Sequence, residues 1–151
     1  MDLFAGSGSL GLESLSRGCK TVCFVDKSLD AIKLIKSNLL LVKEEEFHYK
    51  IFNKDALNFI KNFSGLCFDI VFLDPPFKID TLYMESIFNI LATSEIIDEN
   101  SVIIYEFFFK RDVDKETEAM DIFKLSSFGE KKVAYLRKKQ NENKSSVPRH
   151  L

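Results

Sequence analysis

Many of the apolar positions of the chain fall into short, mostly apolar runs. The clearest runs are Thr21–Val25, Tyr49–Phe52, Phe68–Leu73 and Val102–Phe109. Such runs, rich in β-branched and aromatic residues, are typical of strands buried on both faces of a parallel sheet. Asp2–Ala5 has the composition expected at the end of a further strand. Near the carboxyl terminus, Ile122–Phe128 and Lys132–Arg137 flank the sequence Phe128-Gly-Glu130 and predict an antiparallel hairpin.

Between the strands, apolar residues recur every three or four positions and predict helices. The predicted helices are Ser9–Arg17, a segment through Ile32, Ile35, Leu39 and Val42, a segment carrying Phe59, Ile60 and Phe63, and a segment through Tyr83, Ile87 and Leu91. Ser28, Asp55 and Asp80 precede three of them, and their side chains can cap the free amides of a first turn. Strands alternating with helices predict a doubly wound α/β sheet, which binds ligands at the carboxyl ends of its strands.

Composition narrows the class of protein. The 151 residues fit one domain at 1–139, followed by a polar tail at 140–151 that we predict to be disordered. The net charge of −2 excludes a uniformly basic nucleic-acid binder, and fifteen phenylalanines are interpreted as core filling. Three cysteines without a C-x-x-C pair predict no metal site. Neither a membrane-length apolar stretch nor a signal peptide is seen, so a cytoplasmic protein is expected.

A glycine-rich motif, G-x-G-x-x-G at residues 6–11, joins the first strand to the first helix. It fits either a dinucleotide pyrophosphate at the helix N-terminus or S-adenosylmethionine (SAM), which carries no phosphate. Asp26, after the next strand, can bind ribose hydroxyls in both cases. Asp2 favours SAM, because a carboxylate beside the loop would repel pyrophosphate and attract the ammonium group of SAM. Phe4 adds bulk where a phosphate-binding turn needs small residues.

The sequence Asp74-Pro75-Pro76-Phe77 follows an apolar strand and is the candidate reactive motif. Two prolines fix the backbone and remove two N–H donors, so the carbonyls nearby can only accept. A carboxylate beside such carbonyls suits a planar NH₂ group, whose N–H bonds it accepts while the nitrogen lone pair faces a methyl donor. Asp74 can also take up the released proton, and Phe77 offers a stacking face for a base.

The residues alone leave the substrate open. Any planar NH₂ fits the motif, including a base amine in RNA, the N6 amine of adenine and a protein glutamine amide. No Pro-Cys nucleophile motif is present, which argues against carbon-5 methylation of pyrimidines. A nicotinamide oxidoreductase is supported only by the glycine motif, because no hydride-site acid or base is evident. A non-catalytic module remains a further alternative.

Several stretches together resemble one known family. They are DLFAGSGSLGLE (2–13), SLSRG (14–18), FVD (24–26), NL (38–39), DAL (55–57) and FDIVFLDPPF (68–77). The set resembles the RsmD-type 16S rRNA guanine-N2 methyltransferases. That resemblance implies a Rossmann-like class I methyltransferase fold, with a mostly parallel seven-stranded sheet, a C-terminal antiparallel hairpin and helices on both faces. Family members carry a further N-terminal stretch, with a basic arm and a helix, that this sequence lacks.

The resemblance also implies an activity and a set of site residues. The implied reaction is SAM-dependent methylation of the N2 amine of guanine 966 in 16S rRNA, by a monomer acting on the small subunit or its assembly intermediate. The residues implied to bind the cofactor are Asp2, Phe4, Ala5, Gly6, Gly8, Asp26, Lys27, Asp55 and Ala56. Those implied to hold the base are Asp74, Pro75, Pro76 and Phe77.

Basic residues near the carboxyl terminus are candidates for contact with RNA phosphates. They are Lys110, Arg111, Lys131, Lys132, Arg137, Lys138 and Lys139. A solvated basic face is the alternative interpretation of this cluster.

Overall fold

The structure, a computed structural model, describes residues 1–43, 45 and 48–140. Helices and strands alternate in the predicted order. The elements are α1 (Ser9–Ser16), β1 (Val22–Asp26), α2 (Leu29–Leu41), β2 (Tyr49–Asn53), α3 (Ala56–Asn62), β3 (Ile70–Leu73), α4 (Thr81–Thr93), β4 (Val102–Phe108), α5 (Val113–Glu116), β5 (Met120–Phe128) and β6 (Lys131–Lys138). The one-turn helix α5 was not expected from the sequence. The predicted disordered tail lies, beyond Gln140, outside the described residues.

The predicted caps are present at three helices. The side chains of Ser28, Asp55 and Asp80 accept hydrogen bonds from the amides of Ala31, Asn58 and Tyr83, respectively. Each cap satisfies one of the amides that a first helical turn leaves without a partner. These bonds fix where α2, α3 and α4 begin, directly after the carboxyl ends of the strands.

The strands form a parallel pair, β2-β1, and a four-stranded group in the order β3-β4-β6-β5, in which β3 and β4 are parallel and β6 is antiparallel to both its neighbours. The amino-terminal segment lies between the two groups. Asp2 bridges Phe24 of β1 and Phe72 of β3 in parallel orientation. Its amide donates to the Cys23 carbonyl at 2.8 Å, and the Leu3 amide donates to the Phe72 carbonyl at 3.2 Å.

The expected seven-stranded sheet is therefore not confirmed in that detail. Six strands are formed within the described residues, and the place of a seventh is taken by residues 1–5, which make isolated bridges. The chain turns at Leu3 and Phe4 into the glycine loop. The expected C-terminal hairpin is present as β5 and β6.

Helices pack on both faces of the sheet, as expected. Val22 and Phe24 of β1 are buried in one cluster with Ile35 of α2. Cys23 and Val25, which alternate with them along the strand, belong to a second cluster that includes the buried residues of α3 and α4. Alternating side chains point to opposite faces of a sheet, so the two clusters are the two layers of the core.

The phenylalanines fill the core only in part. Five of them are buried, namely Phe24, Phe59, Phe68, Phe88 and Phe107. Four others are 42–66% exposed, namely Phe77, Phe109, Phe123 and Phe128. The interpretation of phenylalanine as core filling is thus wrong for these four residues, which stand at the ends of strands or on the terminal hairpin.

Within the described residues, no helix is both long and apolar enough to cross a membrane. The same residues contain no group of three or more His, Cys, Asp or Glu side chains arranged to hold a metal ion.

Candidate functional site

A cleft of about 730 Å³ opens at the carboxyl ends of the strands, where the three sequence motifs meet. The predicted site residues that line it are Phe4, Ala5, Gly6, Asp26, Lys27, Asp55, Ala56, Asp74, Pro75 and Pro76. They come from four separate segments of the chain, which the parallel strands deliver to the same edge of the sheet. Asp2, Gly8 and Phe77 are the three predicted site residues outside this lining.

The glycines of the loop have separate structural tasks. Gly6 and Gly8 adopt positive φ angles of 54° and 82°, and Gly8 is the N-cap residue of α1. Gly11 is needed for close packing, because a Cβ atom there would lie 2.2 Å from the ring of Phe24. The first two glycines therefore form the turn, and the third brings α1 against β1. Gly8 is buried behind the loop and does not face the cleft.

Asp26 ties the glycine loop to the end of β1. One carboxylate oxygen accepts a hydrogen bond from the Gly6 amide at 2.9 Å, and the other accepts from the Ser28 amide at 2.8 Å. The side chain of Asn53 donates to the carbonyls of Asp26 and Lys27, both at 3.0 Å, which steadies the same turn. Each carboxylate oxygen of Asp26 retains a second lone pair, so the group can still accept from a ligand hydroxyl.

Asp55 is shared between a helix cap and a tyrosine that the sequence did not reveal as a site residue. One oxygen accepts from the Asn58 amide at 3.0 Å, and the other accepts from the Tyr83 hydroxyl at 2.6 Å. Burial, followed by the bond to Asp55, raises the pKa of Tyr83 to about 12. Tyr83 also lines the cleft and stays a neutral donor, so α4 fixes the orientation of Asp55. In the sequence, Tyr83 stood out only as an early residue of the helix that Asp80 was predicted to cap.

Asp74 stands at the carboxyl end of β3, with its carboxyl group partly desolvated. This desolvation raises its pKa, the negative charge of Glu106 adds to the effect, and Lys131 opposes it. The Pro76 carbonyl accepts from the Ile79 amide at 2.9 Å, which closes the turn after the motif. A carboxylate with a raised pKa is a better proton acceptor than an ordinary one.

Asp2 is not placed where the sequence led us to expect it. The residue is fully buried between β1 and β3, outside the cleft lining, and its carboxyl oxygens make no hydrogen bond of normal geometry within the described residues. Burial raises its pKa to about 6, whereas the amino terminus and the nearby amides of Gly11 and Phe4 lower it. The expected contact with a cofactor ammonium stays a prediction, because the buried carboxyl oxygens of Asp2 have no partner among the described residues.

Phe77 stands at the rim of the cleft, and its expected role as a stacking face for a base stays a prediction. Its ring is 66% exposed, lies outside the cleft lining and packs against Phe108 of β4, with ring centroids 4.6 Å apart. It remains next to the Asp74-Pro75-Pro76 turn in sequence, at the rim of the cleft.

Three of the basic residues proposed for phosphate contact are held by protein groups. Arg111 donates to the Ile79 carbonyl at 2.8 Å and pairs with the buried Glu116 at 2.5 Å. Lys138 donates to the Ser94 carbonyl at 2.5 Å, and Lys131 pairs with Glu106. Arg111 is therefore a structural residue that anchors the turn after the reactive motif, because its guanidinium is nearly buried against Glu116.

The charge of the cleft discriminates between cofactors. Four carboxylates, those of Asp26, Asp55, Asp74 and Asp80, line it against the two lysines Lys27 and Lys78. An excess of negative charge in a partly enclosed cleft attracts cations and repels phosphates. The carboxylates of the cleft thus fit a cofactor that carries a sulfonium and an ammonium group, and they oppose the binding of a dinucleotide pyrophosphate.

The family described as Conserved hypothetical protein 95 matches residues 1–137. The chain belongs to that family. The ribosomal RNA small subunit methyltransferase D of Haemophilus influenzae is 36% identical over 107 residues, which is 70% of this chain and 54% of that protein. The chain spans a little over half the length of the first curated relatives that it matches. The resemblance found in the motifs is confirmed at the level of the family.

Solved structures agree with this assignment. A methylase candidate of Haemophilus influenzae has a TM-score of 0.77 and 31% identity, and the match covers 91% of this chain and 85% of that chain. A methyltransferase candidate solved in complex with SAH has a TM-score of 0.73 at 15% identity, covering 90% of this chain and 44% of that chain. At that identity the second match shows the fold alone. The expected methyltransferase fold is confirmed.

Proposed function

We propose that the cleft binds SAM and that this chain methylates the N2 amine of guanine 966 in 16S ribosomal RNA, in the cytoplasm. One observation carries the proposal: Asp74, Pro75 and Pro76 share one acidic cleft with Asp26 and Asp55. The name of the Haemophilus influenzae relative, a ribosomal RNA small subunit methyltransferase, supports the substrate class. The choice of guanine N2 rests on the motif resemblance.

The residues of the cleft fit the adenosine part of SAM. Asp26 would accept from the ribose hydroxyls, and Asp55, oriented by Tyr83, would accept from the adenine amine. When bound, SAM supplies an electrophilic methyl group on a positively charged sulfur. The acidic lining offsets that positive charge and leaves the reactive turn of Asp74 beside it.

The reactive turn would hold the amine of the base. The Pro76 carbonyl is engaged by the Ile79 amide, which leaves the Asp74 carboxylate and the Pro75 carbonyl to accept the two N–H bonds. Both acceptors would fix the nitrogen so that its lone pair points along the line of transfer. The raised pKa of Asp74 suits the uptake of one proton as the new N–C bond forms.

Ligand binding separates the two cofactor hypotheses. The purified chain is titrated with S-adenosylhomocysteine, and with NAD for comparison, by calorimetry and by thermal unfolding. A ligand at about 100 times its Kd adds roughly 2.7 kcal/mol to the free energy of unfolding, which is several degrees in Tm. We expect this shift with S-adenosylhomocysteine and none with NAD. A shift with NAD alone would overturn the proposal.

A matched pair of variants tests the location of the site. Asp26→Asn should weaken binding of S-adenosylhomocysteine about 10- to 160-fold, because a charged acceptor for ribose hydroxyls is worth roughly 1.5–3 kcal/mol. Asp69→Asn, at the opposite end of β3, serves as control because that side chain is exposed and away from the cleft. Equal affinities of both variants and the wild type would place the cofactor elsewhere.

A further inference from the structure

Three phenylalanine rings form a continuous row at the rim of the cleft, in which the two outer rings are exposed and the middle ring is half-buried. We call Phe77, Phe108 and Phe109 the aromatic shelf. The ring centroids of Phe77 and Phe108 are 4.6 Å apart, and those of Phe108 and Phe109 are 4.7 Å apart. Phe77 is 66% exposed and Phe109 is 42% exposed. Single exposed apolar residues are ordinary, but rings in contact beside a cleft form the kind of patch that marks an interaction site.

The strand register explains why the shelf stands at this rim. Phe108 is the last residue of β4, and β4 runs parallel to β3, whose carboxyl end carries Asp74. The shelf and the reactive turn are therefore at the same edge of the sheet. The Phe109 amide donates to the Glu130 carbonyl at 3.0 Å, which fixes the backbone at the outer end of the shelf.

Positive charge accompanies the aromatic rings. The ammonium nitrogen of Lys110 lies 6.0 Å from the ring centroid of Phe108 and 5.6 Å from that of Phe109. Lys131 is directly opposite Phe108 in the β4–β6 register and opposite Phe128 in the β5–β6 register. Directly opposite residues share a face of the sheet, so Lys131 stands between two aromatic side chains, but its ammonium is paired with Glu106. The positive charge available to a ligand at the shelf is therefore that of Lys110. An ammonium in contact with partly exposed rings brings a cation for phosphate to the same place as a stacking surface.

This combination matches the chemistry of unpaired RNA. Single strands bind to proteins by stacking bases on aromatic side chains while cations follow the phosphates. A duplex offers no free base faces, because its bases are already stacked on one another. The acidic cleft beside the shelf repels phosphate. The basic and aromatic groups at the rim therefore offer the RNA backbone a binding surface outside the cleft.

We propose that the aromatic shelf binds the unpaired RNA nucleotide adjacent to the one whose amine enters the cleft, with its base on Phe109 and its phosphate at Lys110. This inference rests on the proposed function for the direction of the RNA strand toward Asp74. Phe109 and Lys110 contribute to the affinity for RNA and to the position of the RNA strand relative to the cleft. They do not take part in the transfer of the methyl group.

The test measures binding of a labelled short single-stranded RNA to the full chain in the presence of S-adenosylhomocysteine. Phe109→Ala should weaken binding about 5- to 100-fold, the range measured when a stacked base loses its aromatic partner. Phe109→Leu removes the ring but keeps an apolar side chain, so it should bind as poorly while unfolding like the wild type. Phe109→Tyr should retain binding. Lys110→Ala should lower the slope of log affinity against log salt by about 0.7.

A matched control comes from the terminal hairpin. Phe123 is 47% exposed and lies under Arg137, 5.7 Å from its guanidinium carbon, but it is near the middle of β5 and away from the rim. Phe123→Ala should therefore leave RNA affinity unchanged. Equal loss in Phe123→Ala and Phe109→Ala would overturn the proposal, as would wild-type affinity in Phe109→Leu or equal affinity for a duplex of the same sequence.

Methyl transfer to 16S rRNA, measured on the same variants, separates this proposal from the proposed function. The shelf predicts a raised KM for RNA in Phe109→Leu with little change in kcat. A wild-type KM in that variant would overturn the shelf and leave the reaction intact. If no methyl group is transferred by any variant, while Phe109→Leu weakens RNA binding, the reaction is wrong and the shelf stands.

Discussion

At the scale of single residues, three of the four carboxylates that line the cleft, those of Asp26, Asp55 and Asp80, also hold a structural partner. Asp26 holds the glycine loop, and Asp55 caps α3 and accepts from Tyr83. Asp26 and Asp55 could be predicted from the sequence, because each follows an apolar strand. The partnership with Tyr83 could not, because it joins residues 28 positions apart through the packing of α3 on α4.

The role of Asp74 gives the first prediction. Asp74→Asn keeps the shape of the side chain but removes the proton acceptor, so kcat for methyl transfer should fall about 10²- to 10⁴-fold. The affinity for S-adenosylhomocysteine should change less than threefold, by our estimate, if the residue acts on the amine of the base. Radiolabelled methyl transfer and calorimetry measure the two effects, with Asp69→Asn as control. An Asp74→Asn enzyme with the wild-type kcat would refute the assignment.

The buried position of Asp2 gives a prediction on stability. Its pKa of about 6 in the folded chain lies above the ordinary value of 3.8. The folded chain therefore holds the proton to higher pH than the unfolded chain does. The free energy of unfolding should fall as pH rises from about 4 to 6, and this loss should persist above pH 6.

Asp2→Asn removes that titration. The variant should be more stable than the wild type at pH 8 by roughly 1–3 kcal/mol, and the difference should shrink toward pH 4. Urea denaturation at both pH values measures it. If the stability of the wild type and that of Asp2→Asn change with pH in parallel, titration of the Asp2 carboxyl group does not cause the loss of stability.

At the scale of elements, the positions of α1 and of the turn after Pro76 depend on close packing. Helix α1 approaches β1 over Gly11, where a Cβ atom would meet the ring of Phe24. The short α5 was not predicted, because four residues carry too little periodicity to be recognised. Its importance comes from Glu116, which holds both Arg111 and the hydroxyl of Tyr105.

Gly11→Ala tests the approach of α1 to β1. The added methyl group would overlap the ring of Phe24 at 2.2 Å, so the free energy of unfolding should fall by about 1–3 kcal/mol. Combining it with Phe24→Leu should recover part of the loss. Ser16→Ala at the exposed end of the same helix is the control and should change stability by less than about 0.5 kcal/mol. Thermal unfolding of Gly11→Ala at the wild-type Tm would contradict this packing.

Arg111→Met tests the anchor of the reactive turn. Removing the guanidinium leaves the buried Glu116 without its counter-charge and frees the Ile79 carbonyl, so stability should fall by about 3–5 kcal/mol. The double variant with Glu116→Gln should regain much of this loss. Lys115→Met, which breaks a surface pair with Glu85, should cost under about 1 kcal/mol. An Arg111→Met loss as small as that of Lys115→Met would show that the buried pair stabilises little.

At the scale of the whole molecule, a parallel sheet brings four sequence segments to one edge and makes a cleft of them. The alternation of apolar runs and helical spacing was sufficient to predict this convergence. Whether an individual side chain lies inside the cleft or outside it was not predictable in the same way. Asp2 is buried because the sheet flanks it on both sides, and Phe77 turns outward because Phe108 offers it a ring to pack against.

The account is tested most directly by identifying the methylated nucleoside. Small subunits or 16S rRNA that lack the modification are incubated with the purified chain and radiolabelled SAM, and the RNA is digested and its nucleosides are separated. We expect one labelled nucleoside, N2-methylguanosine, formed by the wild type and lost in Asp74→Asn. Label in N6-methyladenosine or in protein glutamine would contradict the proposed target. If the chain binds S-adenosylhomocysteine but transfers no label to the RNA, the proposed activity is contradicted.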